Sequence, residues 1–147
     1  MSSQIPLSLA NITEEEILAA TDALRSQKLT LGPWTEKFEG LVSKHTNNRN
    51  GIATNSGNSA MEIALESLGI GNGHEVLTAS FAFPSTASAI LHIGATPRFV
   101  DCDARTLNLD AKDVESKIVE STKAIIATHT FGSPSGIDEL ARIAQEY

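Results

Sequence analysis

The stretch Gly51-Ile-Ala-Thr-Asn-Ser-Gly-Asn-Ser-Ala60-Met-Glu-Ile-Ala-Leu65 decides how this chain is read. A short apolar run, Gly51–Thr54, leads into a turn of small residues, Asn55–Ser59, and then into a helical pattern. The order is buried strand, turn, helix start. Backbone N–H groups in such a turn, backed by a helix N-terminus, hold an anion such as phosphate. Gly57 is expected to take a positive φ and let the backbone approach a ligand closely. Asn58 and Ser59 then offer free N–H groups, an amide and a hydroxyl. Ordinary helix capping by Ser and Asn uses the same residues. The local pattern leaves both readings open.

Downstream, short apolar runs alternate with helical patterns. The runs are Glu75–Thr78, Pro97–Asp101 and Lys123–His129. The helical patterns are Ser59–Leu68, Ser85–Leu91, Ala111–Ile118 and Ile137–Tyr147. Such alternation predicts right-handed βαβ units, and so a mostly parallel α/β sheet with flanking helices. Val100 and Ala124-Ile-Ile-Ala127 read as buried on both faces, as parallel strands are. The amphipathic pattern of Ile137–Tyr147 should be followed by a strand, so the fold is expected to continue past Tyr147. Upstream, Thr13-Glu-Glu-Glu16 matches a capping box and predicts a helix from about Thr13 to Ser26. Leu29-Thr-Leu-Gly-Pro33 breaks it. A second helix is expected from Thr35 to His45, with Phe38, Leu41, Val42 and His45 on one face. Residues 1–50 thus form a helical segment, and 51–147 one incomplete α/β unit.

Composition bounds the function. Hydrophobic residues are 41% and charged residues 20% of the 147, and the formal net charge is −7. With no Lys/Arg cluster, nucleic acid and anionic membranes are poor partners. No apolar run reaches membrane-span length. Met1-Ser-Ser-Gln-Ile-Pro-Leu7 has no basic region or apolar signal core, so cytoplasm is the expected compartment. Cys102 is the single cysteine. It lies between Asp101 and Asp103, which disfavour a thiolate, so it reads as structural.

Other stretches carry weaker signals. Thr78-Ala-Ser-Phe-Ala-Phe-Pro-Ser-Thr86 lies between a strand and a helix, at the sheet edge where α/β proteins bind ligands. Phe81 and Phe83 either present a ring face to a planar ligand or fill the core. Gly69-Ile-Gly-Asn-Gly73 has the wrong spacing and context for a dinucleotide loop, and reads as a helix C-cap and turn. His45, His74, His92 and His129 have no metal-like spacing, and Asp101, Asp103, Asp110 and Asp113 lack the calcium-loop order. No metal is expected.

Collinear segments then accumulate. They are Leu29-Thr-Leu-Gly-Pro-Trp-Thr-Glu-Lys-Phe-Glu39, Thr54-Asn-Ser-Gly-Asn-Ser-Ala60, Leu68-Gly-Ile-Gly-Asn-Gly-His-Glu-Val76 and Ser80-Phe-Ala-Phe-Pro-Ser-Thr-Ala-Ser-Ala-Ile90. Gly94-Ala-Thr-Pro-Arg-Phe-Val-Asp101, Thr106-Leu-Asn-Leu109 and Thr122-Lys-Ala-Ile-Ile126 through His129 follow. Together they resemble the N-terminal part of a DegT/DnrJ/EryC1/StrS-type aminotransferase. That family has fold type I, depends on pyridoxal phosphate (PLP) and acts mostly on nucleotide-linked keto sugars.

The resemblance implies that Gly57, Asn58 and Ser59 form the phosphate-binding turn, with Asn58 standing where the family usually has Thr. It implies that Phe83 stacks on the pyridine ring. It places Gly51–Thr54 at one end of the sheet and the other three strands together toward the other end. It also implies a homo-oligomer. The family's Asp for the pyridinium nitrogen and its Lys for the cofactor aldehyde fall beyond Tyr147, and none of the six lysines stands at that position. The chain is therefore expected to be inactive alone, with no catalytic residue of its own. Alternatives are one half of a split enzyme completed by a C-terminal chain, or a non-catalytic relative serving as an oligomerisation or phosphate-ligand-binding module.

Overall fold

A computed structural model describes residues 5, 6, 8–47 and 50–147. The chain divides into two compact units, Met1–Ala53 and Thr54–Tyr147.

The first unit holds helices α1 (Glu14–Arg25) and α2 (Pro33–His45). The capping box at Thr13 forms: the Thr13 N–H donates to Glu16 Oε2 at 2.6 Å. That bond and the Thr13 hydroxyl hold the Glu16 carboxyl below its ordinary pKa, the hydroxyl contributing most. Helix α2 starts at Pro33, two residues before the expected Thr35. Proline lacks only an N–H that the first helical turn leaves unpaired anyway, so Pro33 opens the helix. Neither helix contains a buried residue, and Phe38, Leu41 and Val42 stay exposed. Gly51–Thr54 forms no strand. A strand needs a ladder partner. None lies beside this run among the described residues, and the Ala53 N–H donates instead to Glu39 Oε1 at 2.8 Å.

The second unit is built as α3 (Gly57–Ser67), β1 (Glu75–Ala79), α4 (Ser85–His92), β2 (Thr96–Val100), α5 (Ala111–Lys117), β3 (Thr122–Ile126) and α6 (Ile137–Glu146), with a 3-10 turn at Thr130–Gly132. The strands form one parallel sheet in the order β2-β1-β3. Alternation along β1 divides the core between two faces. Val76 joins Leu65, Ile70, Ile90 and Ala95 on the face covered by α3 and α4. Leu77 and Ala79 join Val100, Val114, Leu140 and Ile143 on the face covered by α5 and α6. The expected double burial holds for Val100, but Ala124, Ile125, Ile126 and Ala127 are only half-buried. β3 is an edge strand here, beside an open hollow of about 630 Å³ lined by Ile118, Ala124, Ile125 and Tyr147 among others.

Two helices end in the same way, and each delivers the chain into a strand. After α3, the Gly69 N–H donates to Glu66 O and the Ile70 N–H to Leu65 O; after α4, Gly94 donates to Leu91 O and Ala95 to Ile90 O. These are paired Schellman closures, with glycine at positive φ (74° and 79°). In each, the residue after the glycine packs with its hydrogen-bond partner in the same core cluster. The turn expected at Gly69–Gly73 is thereby explained.

Candidate functional site

The site residues read from the sequence fall in the second unit: Gly57, Asn58 and Ser59 open α3, and Phe83 stands in the link before α4, which packs beside α3. Ser56 is the N-cap of α3, and its Oγ accepts from the Ser59 N–H at 3.1 Å. The Thr54 hydroxyl donates to Ser56 O at 2.8 Å and fixes the approach of the chain. Among the described residues the N–H groups of Gly57 and Asn58 meet no acceptor. Both point out of a helix N-terminus, where partial positive charge gathers.

Three expectations change here. Gly57 opens the helix without a positive φ, and a Cβ placed on it would meet nothing within 4 Å. Its missing side chain leaves the turn uncovered. The Ser59 N–H is taken by the Ser56 cap. The Asn58 amide donates to Glu62 Oε1, one helical turn on. That oxygen also meets His92 Nδ1 at 2.7 Å, joining the first turn of α3 to the end of α4. Glu62 and His92 were not read as a pair because 30 residues separate them.

Phe83 lies in the link from β1 to α4 and is 79% exposed. It borders a hollow of about 330 Å³ with Thr78, Ser80, Pro84, Leu91 and Phe99 among its other lining residues. Among the described residues no charged side chain lines this hollow. Phe81 is exposed but stands outside it, as do Gly57, Asn58 and Ser59. Among its lining residues, Thr78 has its Oγ1 buried without a hydrogen-bond partner among the described residues. An unpaired buried hydroxyl costs about 1–3 kcal/mol relative to a paired one.

A second set of contacts shapes the neighbouring edge of the sheet. Asn108 is buried, accepts from the Thr130 N–H at 2.9 Å, and donates to Ser133 O at 2.9 Å and Ser135 O at 2.8 Å. It holds the segment after β3, where Phe131 takes φ +54° with its ring exposed. His129 lies exposed just before that turn. Asp113 accepts from the Asp101 N–H and from Lys117 Nζ, each at 2.7 Å. These two donors, the backbone one first, hold its carboxyl below the ordinary range. Asp103 is held low in the same way by the Thr106 N–H, then its hydroxyl and the Arg105 N–H. Asp110 caps α5. These carboxylates are thus occupied in turns and caps, and among the described residues no group of three or more His, Cys, Asp or Glu converges. Cys102 packs half-buried against the α5 and α6 core.

A parallel α/β unit with a helix N-terminus and an exposed aromatic at its strand ends has close counterparts. The chain belongs to the DegT/DnrJ/EryC1/StrS aminotransferase family, whose model matches residues 10–147. It is 38% identical over 143 residues to the spore coat polysaccharide biosynthesis protein SpsC of Bacillus subtilis, covering 97% of this chain and 37% of SpsC. Among solved structures, Spr1654 of Streptococcus pneumoniae, described as a sugar aminotransferase, is 36% identical with a TM-score of 0.91. The match covers 97% of this chain and 36% of Spr1654, which has been solved in apo, PMP and PLP forms. DesV of S. venezuelae is 34% identical with a TM-score of 0.81, over 90% of this chain and 37% of DesV. The chain therefore spans little more than a third of these relatives. Its fold matches the N-terminal portion of a fold-type-I aminotransferase, and the family implies PLP as cofactor. No helix among the described residues is long and apolar enough to cross a membrane.

Proposed function

We propose that this chain carries the phosphate turn and the ring-stacking aromatic of a PLP site, in an aminotransferase acting on nucleotide-linked keto sugars. The observation that carries the reading is Phe83, a large aromatic ring held 79% exposed at the strand ends over an uncharged hollow. The free N–H groups of Gly57 and Asn58 support it. In this reading they bind the phosphate, the Ser59 hydroxyl borders it, and Phe83 stacks on the ring. When bound, PLP supplies an electron sink for bonds at the substrate carbon. This chain's own residues bind and orient it.

The same site favours a second statement. No lysine lines the hollow, and Lys117 is engaged by Asp113 and Phe99 O. These 147 residues thus hold the cofactor without taking its aldehyde. In this reading the lysine and the pyridinium partner come from further sequence or from a separate C-terminal chain, and the homo-oligomer is what the family likeness supports.

Titration with PLP, followed by borohydride reduction and mass spectrometry, tests both statements. Saturable binding without a stoichiometric lysine adduct is expected. A specific adduct would refute the missing-lysine claim, and an absence of saturation would remove the cofactor reading.

A further inference from the structure

We propose that Glu62 and His92 are positioning residues: their contact fixes the turn at the start of α3 relative to α4 and to the Phe83 link before it. The inference rests on the PLP reading above and adds two residues that stand outside the hollow.

Glu62 Oε1 is a shared acceptor. The Asn58 amide donates to it from the first turn of α3, and His92 Nδ1 meets it at 2.7 Å from the last residue of α4. A carboxylate oxygen only accepts, so the proton of the His92 contact lies on Nδ1. One oxygen thereby joins Asn58, which carries one of the two free N–H groups, to the helix that Phe83 leads into. The Glu62 side chain is only 26% exposed. That sets the contact apart from the Arg142–Glu139 pair, where both side chains are about half exposed. A shielded bond to a charged group outweighs a solvated ion pair. Leu65 of α3 and Ile90 of α4 share one apolar cluster and also hold the helices together. Apolar burial is non-directional, whereas a hydrogen bond prescribes distance and angle, so the polar contact sets how the two helices slide and turn. The Asn58 amide, engaged by Glu62, is turned to this clamp and not to the anion. The consequence is specific to a ligand that touches both helix starts. Free phosphate in the turn meets α3 alone. A ring phosphate that also reaches Phe83 needs the two starts held at one separation before it arrives, which lowers the cost of binding.

Pyridoxine phosphate carries the ring and phosphate of PLP without the aldehyde, and inorganic phosphate reports on the α3 turn alone. Dissociation constants for both are measured by calorimetry on the full chain and on Glu62→Met, His92→Leu and His92→Asn. Glu62→Met keeps the length of the side chain and removes the acceptor. His92→Leu removes the donor, and His92→Asn returns an amide N–H near the place of Nδ1. Glu62→Met and His92→Leu are each expected to weaken pyridoxine phosphate roughly two- to tenfold, the ordinary effect of one lost hydrogen bond, and to change inorganic phosphate by less than about twofold. His92→Asn is expected to bind like the wild type. Urea midpoints without ligand show whether each variant is folded. His92 is 63% exposed, so its two variants decide the matter even where Glu62→Met does not fold. If His92→Leu binds pyridoxine phosphate like the wild type, or His92→Asn loses as much as His92→Leu, the contact positions nothing; this inference falls and the cofactor reading stands. Equal weakening of both ligands would confine the effect to the α3 turn and also overturn it. If the wild-type chain binds no pyridoxine phosphate, both fall.

Discussion

Asn108 is the residue on which the segment after β3 depends. One buried side chain satisfies the Thr130 N–H and two carbonyls, those of Ser133 and Ser135. Removing it orphans a buried donor and weakens two acceptors, so Asn108→Ala should cost about 2–4 kcal/mol in urea denaturation. Asn108→Asp should recover only the Thr130 contact, because a carboxylate cannot donate to the two carbonyls. A loss under 1 kcal/mol in Asn108→Ala would show that the segment is held otherwise. Nothing in the local sequence pointed to this role. Its partners lie 22 to 27 residues away, and a polar residue in a turn reads the same whether it is a hub or solvated. By contrast, the Thr13 capping box was legible because both partners lie within one helical turn. The Gly57 turn was legible as a helix start, but its φ and the engagement of the Asn58 amide by Glu62 were not. Both depend on where the side chains settle.

At the scale of elements, the helices and strands from α3 to α6 follow the periodicity, with boundaries shifted by up to two residues, except β3, which ends at Ile126, three residues before the expected His129. For α3 and α4 the reason is local chemistry: each ends on a glycine in the left-handed region, followed by an apolar residue that returns to the core. Gly94 carries the stronger constraint of the two closures. It sits at φ +79°, and an added Cβ would lie 2.5 Å from Asn72 Oδ1. Gly94→Ala is therefore expected to cost at least about 1–2 kcal/mol from backbone strain alone, measured by thermal or urea unfolding. Gly69→Ala shares the positive φ but meets open space, so it should lose less. Equal losses at both positions would assign the whole effect to φ. Gly51–Thr54 shows what periodicity does not carry. Its residues have strand-like texture, but a strand is a pairing, and no partner lies beside it among the described residues. The half-burial of β3 has the same origin: a run can be apolar enough for a central strand and still lie at an edge.

For the molecule as a whole, the two units differ in what they bury. Residues 54–147 enclose two apolar clusters around β1, whereas α1 and α2 contain no buried residue. Hydrogen exchange of the purified chain should show it. Amides of β1 are expected to exchange slowest, and those of α1 and α2 within the fast, locally opening class. Protection of α1 and α2 equal to that of β1 would show that the first unit shares in the global core. The α/β class was legible from alternating runs and helical patterns, and the family from collinear segments. The poor burial of the first unit was not legible, because its helices carry an ordinary amphipathic pattern. The central claim is that this chain holds the phosphate and ring of PLP, with Phe83 on the ring. It is tested most directly by the dissociation constant of pyridoxine phosphate for the wild-type chain and for Phe83→Ala. Saturable binding by the wild type, weakened about two- to tenfold in Phe83→Ala as loss of one stacking contact requires, is the predicted result. Equal affinity in the two proteins would contradict it.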